Sequence, residues 1–245
     1  MDEHKWVVKA VCFDFDNTLQ DMDTAFGRAA QNILGPFGQT LRLDLETIKT
    51  ALNNTWPSVW EEFMAGSRSE SALYPEWFHR AFRSLDVLVP PEQRTALVSA
   101  YQSEFERTLS LYPDVVGTLN RIMAWQRPPN LAILTNGPGE RQRSRIRDRG
   151  LEEVIPLLVI SEEVGVGKPH PEFFHAALRT LDVRPEDAVM IGDTLDVDLA
   201  GGRAVGMRTI WLNRRGTAHS ASEGADATVH DLAEAVRVME TWMGE

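Results

Sequence analysis

The run Val7-Val8-Lys9-Ala10-Val11-Cys12-Phe13-Asp14-Phe15-Asp16-Asn17-Thr18-Leu19 sets the frame for the rest of the chain. Its Val7–Phe15 part is rich in valine and phenylalanine and reads as a buried strand, because such side chains suit a pleated surface covered on both faces. Two carboxylates, Asp14 and Asp16, stand where that run ends. Similar short apolar runs recur at Leu131–Leu134, Leu157–Ile160, Ala188–Ile191 and Arg208–Leu212, with Ala227–Val229 as a last, short edge strand. Helical periodicity fills the intervals at Val115–Trp125, Glu140–Arg149, Pro171–Leu181, Val197–Ala204 and Asp231–Met239. Pro171 suits a first helical turn, where its missing N–H would be unpaired anyway. Strands alternating with helices predict an α/β fold, a parallel sheet with helices on both faces.

The alternation breaks from about Met22 to about Ser110. There the pattern is helical throughout, at Ala25–Leu34, Asp44–Asn53, Trp56–Met64, Pro75–Leu85 and Pro91–Leu109, punctuated by Gly35-Pro36 and Pro90-Pro91. The expected organisation is a core of residues 1–20 and 111–245 with an all-helical unit, 21–110, inserted after the first strand. Gly216–Gly224 is rich in glycine, serine and alanine and reads as an exposed loop.

With 245 residues, 43% of them hydrophobic, the chain can bury a substantial core. A formal net charge of −11 excludes a general nucleic-acid binder, which needs a basic face for phosphates. An acidic protein that handles an anionic substrate must instead concentrate positive charge locally. The single cysteine, Cys12, lies in an apolar run and reads as a small core residue in a reducing compartment. The opening Met1-Asp2-Glu3-His4-Lys5 does not read as a secretory signal, and the apolar run Val154–Ile160 is far short of the ~20 residues that span a bilayer. A cytoplasmic protein without a membrane partner is expected.

The informative pattern is positional. The first strand ends in Asp14 and Asp16, and the second in Thr135-Asn136-Gly137. Gly167-Lys168-Pro169 follows the third after a short loop, and the fourth ends in Gly192-Asp193, with Asp196 and Asp198 close behind. Taken singly, each is an ordinary turn or helix cap. Together, at the carboxyl ends of parallel strands, they converge where open α/β sheets bind ligands. Asp14, Asp16 and Asp193 in one place would repel unless a cation intervened, and an oxygen-only donor set favours magnesium. Lys168 adds a compact positive charge for a phosphate oxygen, and Thr135, Asn136 and Gly137 add donors.

At these residues the sequence resembles the haloacid dehalogenase (HAD) superfamily of phosphatases. Asp14, Asp16 and Thr18 match its first motif, Thr135 its second, Lys168 its third, and Asp193 its fourth, with Asp198 the better match than Asp196 for the spaced second acid. The resemblance implies a flavodoxin- or Rossmann-like core, with the helical insert as a C1-type cap that closes over the cleft and selects the substrate. It implies a phosphatase in which Asp14 attacks phosphorus, Asp16 is the general acid and base, and Thr135 and Lys168 hold the phosphoryl oxygens. Thr18, Asn136 and Gly137 would assist in phosphate binding. Mg²⁺ would be held by Asp14, Asp193 and the main-chain carbonyl of Asp16, with Asp198 supporting Lys168 or a metal-bound water.

Two other readings compete. A dehalogenase attacks carbon and lacks the second acid, so Asp16 argues for phosphate ester hydrolysis. A receiver-like or non-catalytic phosphate binder is disfavoured, because a receiver's phosphorylated aspartate ends the third strand and here the acidic pair ends the first. The expected partner is a small phosphorylated metabolite. Asn17 and Ile210-Trp211-Leu212-Asn213 resemble the nucleotidase and N-acylneuraminate-9-phosphatase branch. The insert aromatics Trp56, Trp60, Phe63, Tyr74, Trp77, Phe78 and Phe82 read as interhelical packing. Arg28 and Arg68 read as solvated, and Arg141, Arg143, Arg145, Arg147 and Arg149 as one solvated helix. Oligomeric state is not encoded in any pattern here.

Overall fold

Strand β1 (Ala10–Phe13) is fully buried, and the sheet is built outward from it. In the computed structural model, which describes residues 6–217 and 224–244, the chain divides into two units: Met1–Gln20 with Leu111–Glu245, and Asp21–Ser110. The second unit holds helices α1 (Met22–Ala29, prolonged by a π turn Ala30–Leu34), α2 (Gly35–Leu41), α3 (Leu45–Met64), α4 (Glu70–Ser84) and α5 (Pro91–Thr108). The first unit continues with α6 (Val115–Met123), β2 (Asn130–Thr135), α7 (Gly139–Asp148), β3 (Leu157–Ile160), α8 (Ser161–Val164) and α9 (Pro171–Leu181). It ends with β4 (Ala188–Gly192), a π turn Leu195–Leu199 leading into α10 (Ala200–Ala204), β5 (Arg208–Leu212), β6 (Ala227–Val229) and α11 (Leu232–Met243).

The six strands are all parallel, in the order β3-β2-β1-β4-β5-β6. The order reverses at β1, which lies between β2 and β4, and such a switch point is where ligands bind in open α/β sheets. Alternate side chains of β1 point to opposite faces. Val11 and Phe13 join Ile133, Val189 and Ile191 under Val115, Leu119, Ile146, Leu232 and Val236. Ala10 and Cys12 join Ala132, Leu134 and Met190 under Phe173, Phe174, Ala177 and Leu178. Both faces are therefore covered, which is why the strands read as continuous apolar runs. Cys12 is an inert part of this core; burial pushes its thiol pKa up to about 12.

Register places Phe13 beside both Ile133 and Ile191, so the strands run out together. Immediately beyond β1 the chain turns. Asn17 takes a φ of +61°, a left-handed conformation that asparagine tolerates better than most residues. Leu19 and Gln20 then both donate to the Phe15 carbonyl at 2.9 Å.

The helical unit has its own core of Leu34, Ile48, Leu52, Trp77, Phe78, Phe82 and Tyr101, among others. Tyr74, Trp77, Phe78 and Phe82 are buried, whereas Trp56, Trp60 and Phe63 are half-buried along α3. Arg68 is paired with Glu62 rather than solvated alone. Among the described residues no helix is long and apolar enough to cross a membrane.

Several element bounds differ from expectation. The first strand is shorter than Val7–Phe15, since Val7 is exposed and Asp14 onward belongs to the turn. Asp44–Asn53 and Trp56–Met64 are one helix, α3, running through Pro57. Proline removes one hydrogen bond, but Ile48, Ala51 and Leu52 before it and Val59 after it share one buried face. α4 likewise starts five residues before Pro75, and Gly35-Pro36 opens α2 instead of breaking the helical run. Most of the expected loop Gly216–Gly224 lies outside the described residues, as does the opening Met1–Lys5.

β4 must end in glycine. A Cβ on Gly192 would stand 2.5 Å from the Cβ, Cγ and Oδ2 of Asp198. Gly192→Ala is expected to cost at least about 1–3 kcal/mol, the range for overpacking a tight interior, read as a lower denaturant midpoint at unchanged slope.

Candidate active site

Lys168 stands at the centre of the cluster beyond the strand ends. Its Nζ lies 2.6 Å from Asp14 Oδ1 and 2.6 Å from Asp198 Oδ1, with side chains only 2%, 10% and 2% exposed respectively. The loop that carries it is fixed by Asn136, whose amide donates to the Lys168 carbonyl at 2.9 Å and accepts from the Lys168 N–H at 2.9 Å. Asp14 enters directly off β1, its N–H donating to the Ile191 carbonyl at 2.9 Å. Asp198 sits in the π turn after β4, where its Oδ2 accepts from the Thr194 N–H at 3.0 Å. The indole N–H of Trp211 on β5 donates to the Asp193 carbonyl at 2.9 Å, anchoring that residue as well.

Asp14, Asp193 and Asp198 each present an oxygen within 4.8 Å of the others. Three buried or half-buried carboxylates face a single ammonium. Burial pushes the Asp14 pKa well above the usual carboxylate range, Lys168 opposes this, and Asp198 and Asp193 add to it. Burial, then Asp198, raises Asp193 to about 6. For Lys168, burial pulls downward but Asp14 and Asp198 outweigh it, so its pKa is raised and it stays charged. The imbalance is what a divalent cation would relieve, and a donor set of carboxylate oxygens suits a hard cation of the magnesium or calcium kind.

Asp16 occupies a different environment. Its Oδ1 accepts from the Gln20 amide at 2.9 Å, and its Oδ2 accepts from the Gln142 amide at 2.9 Å. Its carboxylate is thus turned onto neutral amides, and its main-chain carbonyl is what it has left to offer a metal. The same Gln142 nitrogen lies 2.8 Å from Thr135 Oγ1 at the end of β2. Asp196, by contrast, is exposed on the turn that buries Asp198.

The expected phosphate ligands have partners of their own. The Asn136 side chain bonds the Lys168 backbone. The Gly137 N–H donates to Ser161 Oγ at 3.0 Å. Thr18 is wholly enclosed, at 0% exposure, because the turn at Asn17 carries it inward; its carbonyl accepts from Arg214 at 3.0 Å. The arginine-rich helix α7 is not uniformly solvated either: Arg145 is 5% exposed, and Arg143 pairs with Glu163 at 2.6 Å. Gln20, Gln142 and Ser161 carry no motif. Only the burial of polar residues on apolar-facing positions could have pointed to them.

The raised pKa of Asp193 has a sign that can be checked. A carboxyl whose pKa goes from 3.8 in the unfolded chain to about 6 when folded binds more protons in the native state across that window, so stability falls as pH rises through it. With chelator present, the wild type is expected to lose up to about 3 kcal/mol relative to Asp193→Asn between pH 4 and 7, at 1.36 kcal/mol per unit. Denaturation midpoints of the two proteins across that range measure it. Parallel pH profiles would refute it.

Comparison with known proteins agrees with this geometry. Residues 8–206 match the haloacid dehalogenase-like hydrolase family. A glyceraldehyde 3-phosphate phosphatase of Methanopyrus kandleri is 31% identical over 209 residues, 85% of each chain. The HAD-hydrolase YfnB of Bacillus subtilis shares the fold with a TM-score of 0.73 at 21% identity, over 95% of this chain and 99% of that one. A 2-haloacid dehalogenase of Pseudomonas syringae superposes with a TM-score of 0.63 at 26% identity, over 96% and 100% of the two chains. The chain belongs to the haloacid dehalogenase-like hydrolases.

Proposed function

We propose that the protein is a magnesium-dependent phosphatase of small phosphate monoesters that works through an aspartyl-phosphate on Asp14. In the first step a carboxylate oxygen of Asp14 bonds to phosphorus as the ester P–O bond breaks, and Asp16 gives its proton to the departing alcohol. In the second, Asp16 takes a proton from water as its oxygen attacks phosphorus, releasing phosphate and restoring Asp14. Lys168 holds the nucleophile and meets a phosphoryl oxygen, and Thr135 donates its hydroxyl to another. Asp14, Asp193 and the main-chain carbonyl of Asp16 would hold Mg²⁺. When bound, the ion neutralises charge on the phosphoryl group. This chemistry is assigned to the unit of residues 1–20 and 111–245, and substrate selection to the helical unit as its cap.

The observation that carries the reading is Asp16. A halide leaves without a proton, so a dehalogenase has no use for a second acid two residues after the nucleophile. An alkoxide does need one. The match to a phosphatase of a three-carbon sugar phosphate supports a small phosphorylated metabolite as substrate.

Release of p-nitrophenol from p-nitrophenyl phosphate is expected with Mg²⁺, not with EDTA, and at least about 10³-fold more slowly in Asp14→Asn, as for loss of a nucleophile. Turnover by Asp14→Asn at the wild-type rate would remove the mechanism. Failure of the folded, metal-loaded wild type on this ester and on a panel of sugar and nucleotide phosphates would remove the activity.

A further inference from the structure

Gln142 has no part in the chemistry assigned so far, yet it is 2% exposed and reaches two groups that do. It lies in the first turn of α7, and its single amide nitrogen is 2.9 Å from Asp16 Oδ2 and 2.8 Å from Thr135 Oγ1. A primary amide carries two N–H donors, and these two acceptors use both; the Asn136 carbonyl at 3.4 Å is a longer, secondary contact. Gln20, enclosed at 0% exposure, takes the other Asp16 oxygen from the opposite side. The Asp16 carboxylate is thereby held at both ends.

The arrangement is not what a purely structural role would produce. The Gln142 carbonyl, Oε1, is buried and has no hydrogen-bond partner among the described residues. An unpaired buried acceptor is costly, and an apolar side chain of the same shape would avoid it. Gly137, at a φ of +143°, lies beside this amide, where a Cβ would stand in ordinary contact with Gln142 Nε2 at 3.4 Å.

We propose that Gln142 is a positioning residue that fixes the Asp16 carboxylate relative to the Thr135 hydroxyl, so that proton delivery to the leaving alcohol and grip on the phosphoryl oxygen are set by one amide. The inference rests on the phosphatase reading of the site. By donating to Thr135 Oγ1, Gln142 fills an acceptor position of that hydroxyl, so its O–H, now in a long 3.4 Å contact with the Asn136 carbonyl, is the group that turns to a phosphoryl oxygen. By donating to Asp16 Oδ2, it fixes the carboxyl's torsion, which decides whether the proton lies in line with the ester oxygen. Small errors in such placement are expensive.

The test separates proton delivery from phosphoryl binding. Acid-quenched single-turnover formation of phospho-Asp14 is measured for the Mg²⁺-loaded wild type and Gln142→Met with two esters. One is an alkyl phosphate, whose leaving group needs a proton; the other is 2,4-dinitrophenyl phosphate, whose leaving group is a stable anion. Loss of Thr135 support lowers both rates alike, whereas misplacement of Asp16 lowers the alkyl rate alone. The ratio of alkyl to dinitrophenyl rates is expected to fall at least about 10-fold, a part of the 10²–10⁴ a general acid supplies. An unchanged ratio would overturn the inference. Gln142→Glu, which keeps the reach but lacks the N–H donors, should show the same fall and stands in if the methionine variant does not fold. A crystal structure of either variant tests the placement without any turnover, so the inference can fail independently of the activity. An Asp16 carboxylate left in its wild-type position would also overturn it.

Discussion

The site depends on one buried ammonium. Lys168 is held between Asp14 and Asp198, whose charges offset its burial, and it is the cation that partners both of them. Removing one partner from such a group typically costs about 3–5 kcal/mol, since it leaves a charge buried without compensation. The arrangement therefore constrains the fold. β1, the loop before α9 and the turn after β4 must arrive together, although their residues lie 154 and 30 positions apart in the chain. The parallel sheet makes this possible by ending neighbouring strands at one level. Asn136, Trp211 and Gly192 then fix the loops to within the reach of a short side chain.

Lys168 compensates one carboxylate of three, and this shapes the chemistry. Burial and then Asp198 push the pKa values of Asp14 and Asp193 upward, and Asp193 adds to the push on Asp14. Asp16, two residues along the same turn, turns its oxygens onto the amides of Gln20 and Gln142 instead. Two carboxylates of one type, nearly adjacent in sequence, thus meet different partners.

Much of this was legible in advance because it is written in short-range pattern. β3, β5, β6 and α9 have the bounds that periodicity and Pro171 indicate. The acids, Thr135 and Lys168 fall at strand ends because a strand end is marked by the switch from apolar to polar residues. What was not legible is long-range. The Gln142 contact with Asp16 spans 126 positions, and glutamine in an arginine-rich helix gives no periodic sign of facing inward. Asn136 and Gly137 fall in the loop after β2, as their turn-forming types indicate, but nothing local in the sequence announces a lysine backbone or Ser161 as their partners. α3 passes through Pro57 because burial on both sides outweighs one lost hydrogen bond, a balance that residue propensity does not contain.

The fold leaves the reaction open. The same architecture serves a 2-haloacid dehalogenase, so the sheet and its switch point are compatible with attack at carbon or at phosphorus. The distinction lies in how the departing atom is treated. A displaced halide carries its charge into water, while a displaced alkoxide is too basic to leave unprotonated. Asp16 alone would meet that need only in principle, because a half-buried aspartate on a turn can take several orientations. Here both of its oxygens are bound by buried amides, one of which also binds Thr135. Under the phosphatase reading proposed above, the second acid that an alkoxide needs is therefore held at both oxygens, and this enclosure sets its orientation.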